Sequence, residues 1–370
     1  MHSTCSSFLL IHTHLLLTTH THLKTIPLPW NIESGIEIPR DDIEDERIRQ
    51  IEHGSKLVTA MPSMFSIVLQ APRGNLETVC PRALVLGSVR HNLNRKEFRT
   101  AFLTCRTHRI DLNVLWTYDE ELFFENVGLF VQQIHDVEYI DLFLSSLKEP
   151  LSLEKAPAVV DGKPSRHIIA ADDRPGEGKK VSAVCDAILA ELLANCSSTH
   201  TQSILTAHLS KIPPDIPSAL RVIAELKGCI TMTPLMTDSK SPLLPRAIEH
   251  ICFLADVNKL YDEALGLYRL DITLLIAQKS QKDPREYLPF LRSLNEMETN
   301  MSRFTIDDYL KRYSSALMHL SKCSPTKSFD DVLAYVKKHK LFKDGMKLYN
   351  NNREQYDVLS NCKITNARRC

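Results

Sequence analysis

Adjacent carboxylates are the residues best suited to acid–base chemistry in this sequence. Asp172-Asp173, Asp307-Asp308 and Asp330-Asp331 each place two acids side by side. Neighbours on a helix point in different directions, so such pairs read as caps or solvated faces unless a third group converges on them. The sequence supplies no such group nearby, and no catalytic carboxylate is expected. His12-Thr13-His14 and His20-Thr21-His22 have chelating spacing but no acid or cysteine beside them, so no metal is expected. Pro175-Gly176-Glu177-Gly178-Lys179-Lys180 imitates a phosphate loop. It lacks the first glycine and the hydroxyl after the lysine, and reads as a loop. No HExxH, GxSxG, dinucleotide or kinase signature occurs. Ten cysteines are scattered from Cys5 to Cys370 with no CxxC pair, the usage of reduced thiols in a cytoplasmic protein, with a nuclear location also open. The expectation is a chain without enzymatic activity or cofactor.

Cations could do other work. Arg90, Arg95, Lys96, Arg99, Arg106 and Arg109 lie close together with Phe98 and Phe102 between them. Cations interleaved with rings can bind single-stranded RNA. Phe98, Ala101, Phe102 and Cys105 also have core spacing, which leaves the cations as a solvated outer face. RNA contact through Arg95, Lys96 and Arg99 is the alternative. The run Lys337, Lys338, Lys340, Lys343 and Lys347 is a weaker one.

The elements that would carry these residues are mainly helical. The chain has 370 residues, 45 basic and 45 acidic, so net charge gives no pull toward nucleic acid or membrane. It has 11 glycines, against about 26 at average usage, a shortage that favours helices joined by polar or proline-containing turns. No run reaches the ~20 apolar residues that span a bilayer. Phe8–Leu17 is apolar but broken by histidines and lacks a preceding cation, so it is not read as a signal peptide. Residues 1–35 read as an unstructured leader. Residues 36–80 hold short β-prone runs, Lys56–Met61, Phe65–Leu69 and Leu76–Val79, which resemble the end of a propeller. From Pro81 the period becomes helical, and 81–350 read as helical repeats with loops at 149–180 and 228–245. Expected helices include 247–277, 305–320 and 329–349. Residues 351–370 read as an unstructured tail.

Leu260–Tyr268 and Leu341–Tyr349 share an aromatic, an acid, a small residue and a closing Tyr, and Arg95–Phe102 is a looser copy. Small residues among aromatics let helices approach closely, the mechanics of tetratricopeptide-like hairpins. The spacing predicts that Tyr261, Ala264, Leu265 and Tyr268 share one helical face, with Ala264 at a helix–helix contact and Gly266 on the opposite side. The fold class is therefore mainly α: a degenerate TPR-like α-solenoid of helical hairpins after a short β segment from an incomplete propeller.

Several segments carry a family resemblance. They are Pro72–Glu77, Arg82–Leu86, Ser280–Pro284 with Glu286–Leu291, and Met297–Asn300 with Arg303–Asp307 and Tyr309–Tyr313. They resemble the Elongator complex protein 1 family, the largest Elongator subunit, over about residues 40–360 and not over 1–35. The resemblance implies two propellers followed by an α-solenoid. It implies a scaffold in a complex that places a carboxymethyl-type group on transfer-RNA wobble uridines. Its implied partners are the other Elongator subunits, including a radical S-adenosylmethionine acetyltransferase-like subunit that does the chemistry. Transfer RNA is met indirectly, and the family's dimerisation region lies C-terminal to the matched part.

Overall fold

A computed structural model describes residues 5–11, 14–28, 38–39, 45–61, 65–149, 179–195, 199–232, 243–280, 282–323, 329–350 and four positions between 355 and 360; the side chains of 228–232 are outside it. The chain divides into two compact units: Met1–Ser203 with Ser210–Pro213, and Ile204–Leu209 with Pro214–Cys370.

The first unit opens on two antiparallel sheets. Strands β1 (Ser7–Leu10), β2 (His14–Thr18), β3 (His22–Pro27) and β4 (Ile48–Gln50) form one, in that order. Strands β5 (Lys56–Met61), β6 (Ser66–Gln70) and β7 (Leu76–Val79) form the other. Leu16, Leu23, Ile67 and Leu69 bury a shared core with Leu84. The Leu57 amide donates to Ser7 Oγ at 2.9 Å across the two sheets. Residues 1–35 are thus not an unstructured leader, because three of the strands lie there. The polar residues that disguised them, Thr18, Lys24 and Thr25, are buried. Lys24 Nζ donates to the Pro39 carbonyl at 2.7 Å, which lets a long cationic side chain sit in a strand interior. His14 is also buried, and a Cβ on Gly87 would lie 3.1 Å from its ring. The missing side chain at 87 lets the first helix settle onto β2.

Among the described residues, seven helices follow wholly in this unit: α1 (Arg82–Asn94), α2 (Phe98–Thr107), α3 (Val114–Thr117), α4 (Glu120–Glu125), α5 (Val127–Ile134), α6 (Val137–Ser146) and α7 (Lys179–Asn195). Helix α8 (Thr201–Leu209) begins in the first unit and passes at Ile204 into the second, which carries α9 (Ile216–Met232), α10 (Leu243–Leu254), α11 (Val257–Gly266), α12 (Leu270–Lys279), α13 (Pro284–Glu296), α14 (Thr299–Tyr309), α15 (Tyr313–Ser321), α16 (Phe329–His339) and α17 (Phe342–Leu348). The expected loop at 228–245 is narrower than the sequence suggests, since α9 runs to Met232 and α10 starts at Leu243. Residues 150–178, 233–242 and 361–370, and so most of the expected loops and tail, lie outside the described residues.

The expected long helices 247–277, 305–320 and 329–349 are each broken. Apart from the break before α11, which is an ordinary cap at Asp256, the breaks have one form. Lys96, Arg109, His135, Tyr268, Lys311 and Lys340 all have positive φ, and each follows the end of a helix. At five of them an amide donates to a carbonyl five residues back: Glu97 to Asn92, Ile110 to Cys105, Arg269 to Ala264, Arg312 to Asp307 and Leu341 to Val336. This is the Schellman closure, usually made with glycine. Here cationic or aromatic residues make it, at an αL cost of about 1–2 kcal/mol each. The cationic ones recover part of that cost beside the negative helix end.

Candidate functional site

The scaffold's working parts are the joints between hairpins. Asp256 caps α11, its carboxylate accepting from the Asn258 amide at 2.9 Å. Ala264 and Leu260 on that helix bury into a core with Ile223, Ile248, Ile272 and Ile276. Tyr261 and Leu265 bury into a different one with Tyr287, Leu291, Leu294 and Ile306. Helix α11 is therefore a partition between two cores, and Ala264 is wholly inaccessible on one side of it. Lys282 Nζ sits 4.0 Å from the Tyr261 ring centroid, and burial pushes the Tyr261 hydroxyl up to about 12.

Tyr268 does not share that helical face. The helix ends at Gly266, and Tyr268 stands in the left-handed turn at φ 57°. The turn aims its hydroxyl at α14, where it donates to Asp307 Oδ2 at 2.9 Å. His319 of α15 brings Nε2 to 3.3 Å from the same hydroxyl, its ring edge-on to the tyrosine. The Arg303 guanidinium lies 5.2 Å from the Tyr268 ring centre. Asp307 is completely buried. Burial raises the Tyr268 hydroxyl's pKa, helped by its bond to Asp307, and burial lowers that of His319. The adjacent acid works toward the other side: Tyr335 of α16 donates to Asp308 Oδ1 at 2.7 Å. The pair Asp307-Asp308, expected on a solvated face, ties the α11–α12 turn, α14, α15 and α16 together. Only the sequence spacing of Tyr268, Asp307, His319 and Tyr335 could have hinted at this, and that spacing is long-range.

Gly266 is not on an open face either. A Cβ there would run into the Arg312 guanidinium, which reaches Glu263 at 3.1 Å. The lookalike words also fall out of phase. Phe98 and Phe342 each open a helix, whereas Tyr261 is mid-helix. What recurs is the turn rather than the aromatic–small pattern.

The basic face around α2 is partly committed. Arg95 pairs with Glu97 at 3.1 Å, both exposed. Lys96 occupies a left-handed turn, its carbonyl accepting from the Gln133 amide at 2.9 Å. Arg99 donates to the Gln133 carbonyl at 3.2 Å and to His135 Nδ1 at 3.1 Å, clasping the α5–α6 turn. Arg90 and Arg106 lie over the rings of Tyr118 and Tyr139. Phe98 and Phe102 are fully buried, so neither can stack on a base. In the Lys337–Lys347 run, Lys340 likewise occupies a left-handed turn. Among the described residues there is no cluster of three or more potential metal ligands, and no helix is long and apolar enough to cross a membrane. His12 lies outside the described residues, and His20 stacks on His53.

Comparison with known proteins accounts for both halves of this architecture. The family described as ELP1 alpha-solenoid matches residues 82–294, and that described as ELP1 N-terminal second beta-propeller matches residues 1–58. The chain is 41% identical over 349 residues to Elongator complex protein 1 of Schizosaccharomyces pombe, covering 93% of this chain and 26% of that protein. It is 39% identical to the Saccharomyces cerevisiae protein of that name, over 97% of this chain and 27% of the relative. Against the Arabidopsis thaliana protein the figures are 29%, 86% and 25%. The similarity thus reaches into the first 35 residues, where the sequence segments above showed none. The chain spans about a quarter of the length of these relatives. Helices joined by Schellman turns, preceded by two propeller-type sheets and matched over 82–294 and 1–58, place it plainly: this chain belongs to the Elongator complex protein 1 family.

Proposed function

We propose that this chain is a non-catalytic scaffold of the Elongator complex, supporting carboxymethyl-type modification of wobble uridines in transfer RNA and so translation. The observation that carries the reading is the arrangement of its polar groups. The best-positioned acids, Asp307 and Asp308, are spent on joining helices. A fold that invests its buried polar chemistry in joints is suited to holding partners at fixed separations. The partners in this reading are the other Elongator subunits, including the radical S-adenosylmethionine acetyltransferase-like one. Transfer RNA is reached through them, in the cytoplasm.

Size-exclusion chromatography of the purified chain with that catalytic subunit tests the reading. Co-elution is expected, with no turnover of S-adenosylmethionine or acetyl-coenzyme A by the chain alone. Separate elution of the two proteins, or turnover by the isolated chain, would end it.

A further inference from the structure

We propose that the cleft between strand β4 and the start of helix α1 binds a phosphate group. The cleft has a volume of about 450 Å³. Arg47 and Arg49 line it from β4 and the turn before it, Arg82 from the first turn of α1, and His108 from the end of α2. Arg49 lies within β4, whereas Arg47 stands in the turn that leads into it. Asp45 holds the Arg47 guanidinium through Nε, at 3.0 and 2.9 Å from its two oxygens, and Nη2, at 2.6 Å; that pair is closed, so the positive field of the cleft rests on Arg49 and Arg82. Among the described residues Glu46 is the one acid lining the cleft, and its contact with Arg82 is loose: 3.7 Å, with both side chains half exposed. Such a pair contributes little and yields readily to a better anion.

The backbone adds to the same field. Pro81 caps α1 without any side-chain acceptor, and the first turn carries no acid. The positive end of a 13-residue helix therefore opens beside these guanidinium groups uncompensated. Planar guanidiniums converging from separate elements match phosphate oxygens in geometry as well as in charge. The volume exceeds what a bare phosphate fills and lies in the range of small-molecule sites. Among the described residues His108 is the only aromatic ring in the lining, so the phosphate rather than a base is the recognised group. The phosphate can come free or within an RNA backbone.

The test uses the full chain and two probes, pyrophosphate by calorimetry and a labelled short oligouridylate by fluorescence anisotropy. At least one binds, and Arg49→Glu or Arg82→Glu weakens it by about tenfold or more, as loss of a charge-assisted contact requires. Arg49→Lys and Arg82→Lys retain most of the affinity, Glu46→Gln tightens it, and Arg95→Glu leaves it unchanged. Circular dichroism melts confirm that each variant is folded. Oligouridylate binding that weakens with salt and is displaced by pyrophosphate identifies an RNA backbone as the source. Pyrophosphate binding without oligouridylate binding identifies a free phosphate. Neither probe binding, equal binding by the wild type and both charge reversals, or loss of binding in Arg95→Glu alone would each overturn the site.

Discussion

The helices of the first unit and those of the second are joined by different chemistry. In the first, Phe98, Phe123, Phe130 and Phe143 form a buried ring cluster, with Phe123–Phe130 and Phe130–Phe143 centroids 5.2 and 4.9 Å apart. In the second, Tyr268, Asp307, His319, Asp308 and Tyr335 join neighbouring hairpins through oriented hydrogen bonds. Ring packing has preferred angles but no single obligatory partner atom, so it gives way gradually when one helix shifts against another. A buried hydrogen-bonded acid does not, because losing one partner strands the others. Two stretches of one helical chain thus differ in what breaks them: the first yields to lost volume, the second to a lost atom or proton.

Phe130→Ala should give the largest effect, destabilising the first unit by about 3–5 kcal/mol, the usual cost of emptying a fully packed aromatic site. Chemical denaturation monitored in the first unit would show it, with little dependence on pH. The loss from Asp307→Ala, which removes far less volume, sharpens the contrast if it is smaller than this yet well above that of a surface change. About 2–3 kcal/mol is expected, since Tyr268 and His319 lose their shared partner. A loss below about 0.5 kcal/mol, the range of ordinary surface changes, would mean the polar joint is decorative.

Ala264→Leu comes next. It adds volume where α11 meets a core that is already closed, and overpacking of this kind costs about 1–3 kcal/mol. A melt identical to the parent would show that α11 can move aside. Gly266→Ala follows with a net change near zero. The gain in helix propensity of up to ~1 kcal/mol is offset by displacing Arg312 from Glu263. Adding Arg312→Ala should uncover the gain, and a double-mutant cycle reads the coupling directly.

Much of this was legible from residue order, and the failures have physical causes. The switch to helical period at Pro81 and the strands at 56–79 follow from local patterning. The breaks at Tyr268, Lys311 and Lys340 do not, because a left-handed closure without glycine leaves no local mark. The strands before residue 28 were hidden by histidine, threonine and lysine side chains that are buried only once the second sheet and α1 pack on them. The placement of Tyr268 failed for the first of these reasons: four residues share a helical face only while the helix lasts. The joint at Asp307 failed for the second, as its partners are 39 and 12 positions away.

The smallest predicted effect is also the one that separates the two halves by mechanism. His319 Nε2 faces the Tyr268 hydroxyl at 3.3 Å and Asp307 Oδ2 at 3.8 Å, while its Nδ1 is buried without a partner among the described residues. A neutral ring with its proton on Nε2 suits this pocket. A second proton would sit on Nδ1 with nothing to accept it. Burial therefore lowers the His319 pKa in the folded chain; Asp307 opposes that shift, while Arg303 of α14 and Lys322, just past the end of α15, reinforce it. The sign follows. The unfolded chain takes up the proton near pH 6.5 and the folded chain only at lower pH. The second unit keeps its full stability above about pH 6.5 and loses part of it as pH falls from there toward the folded pKa. Denaturant midpoints measured between pH 7.5 and 5.5 should decline in the wild type and decline less in His319→Gln, which keeps a donor near Nε2 but cannot titrate. Phe130→Ala should leave the pH slope as it is in the wild type. A slope unchanged by His319→Gln would assign the acid sensitivity to other groups and leave the two kinds of joint distinguishable only by the residues that fill them.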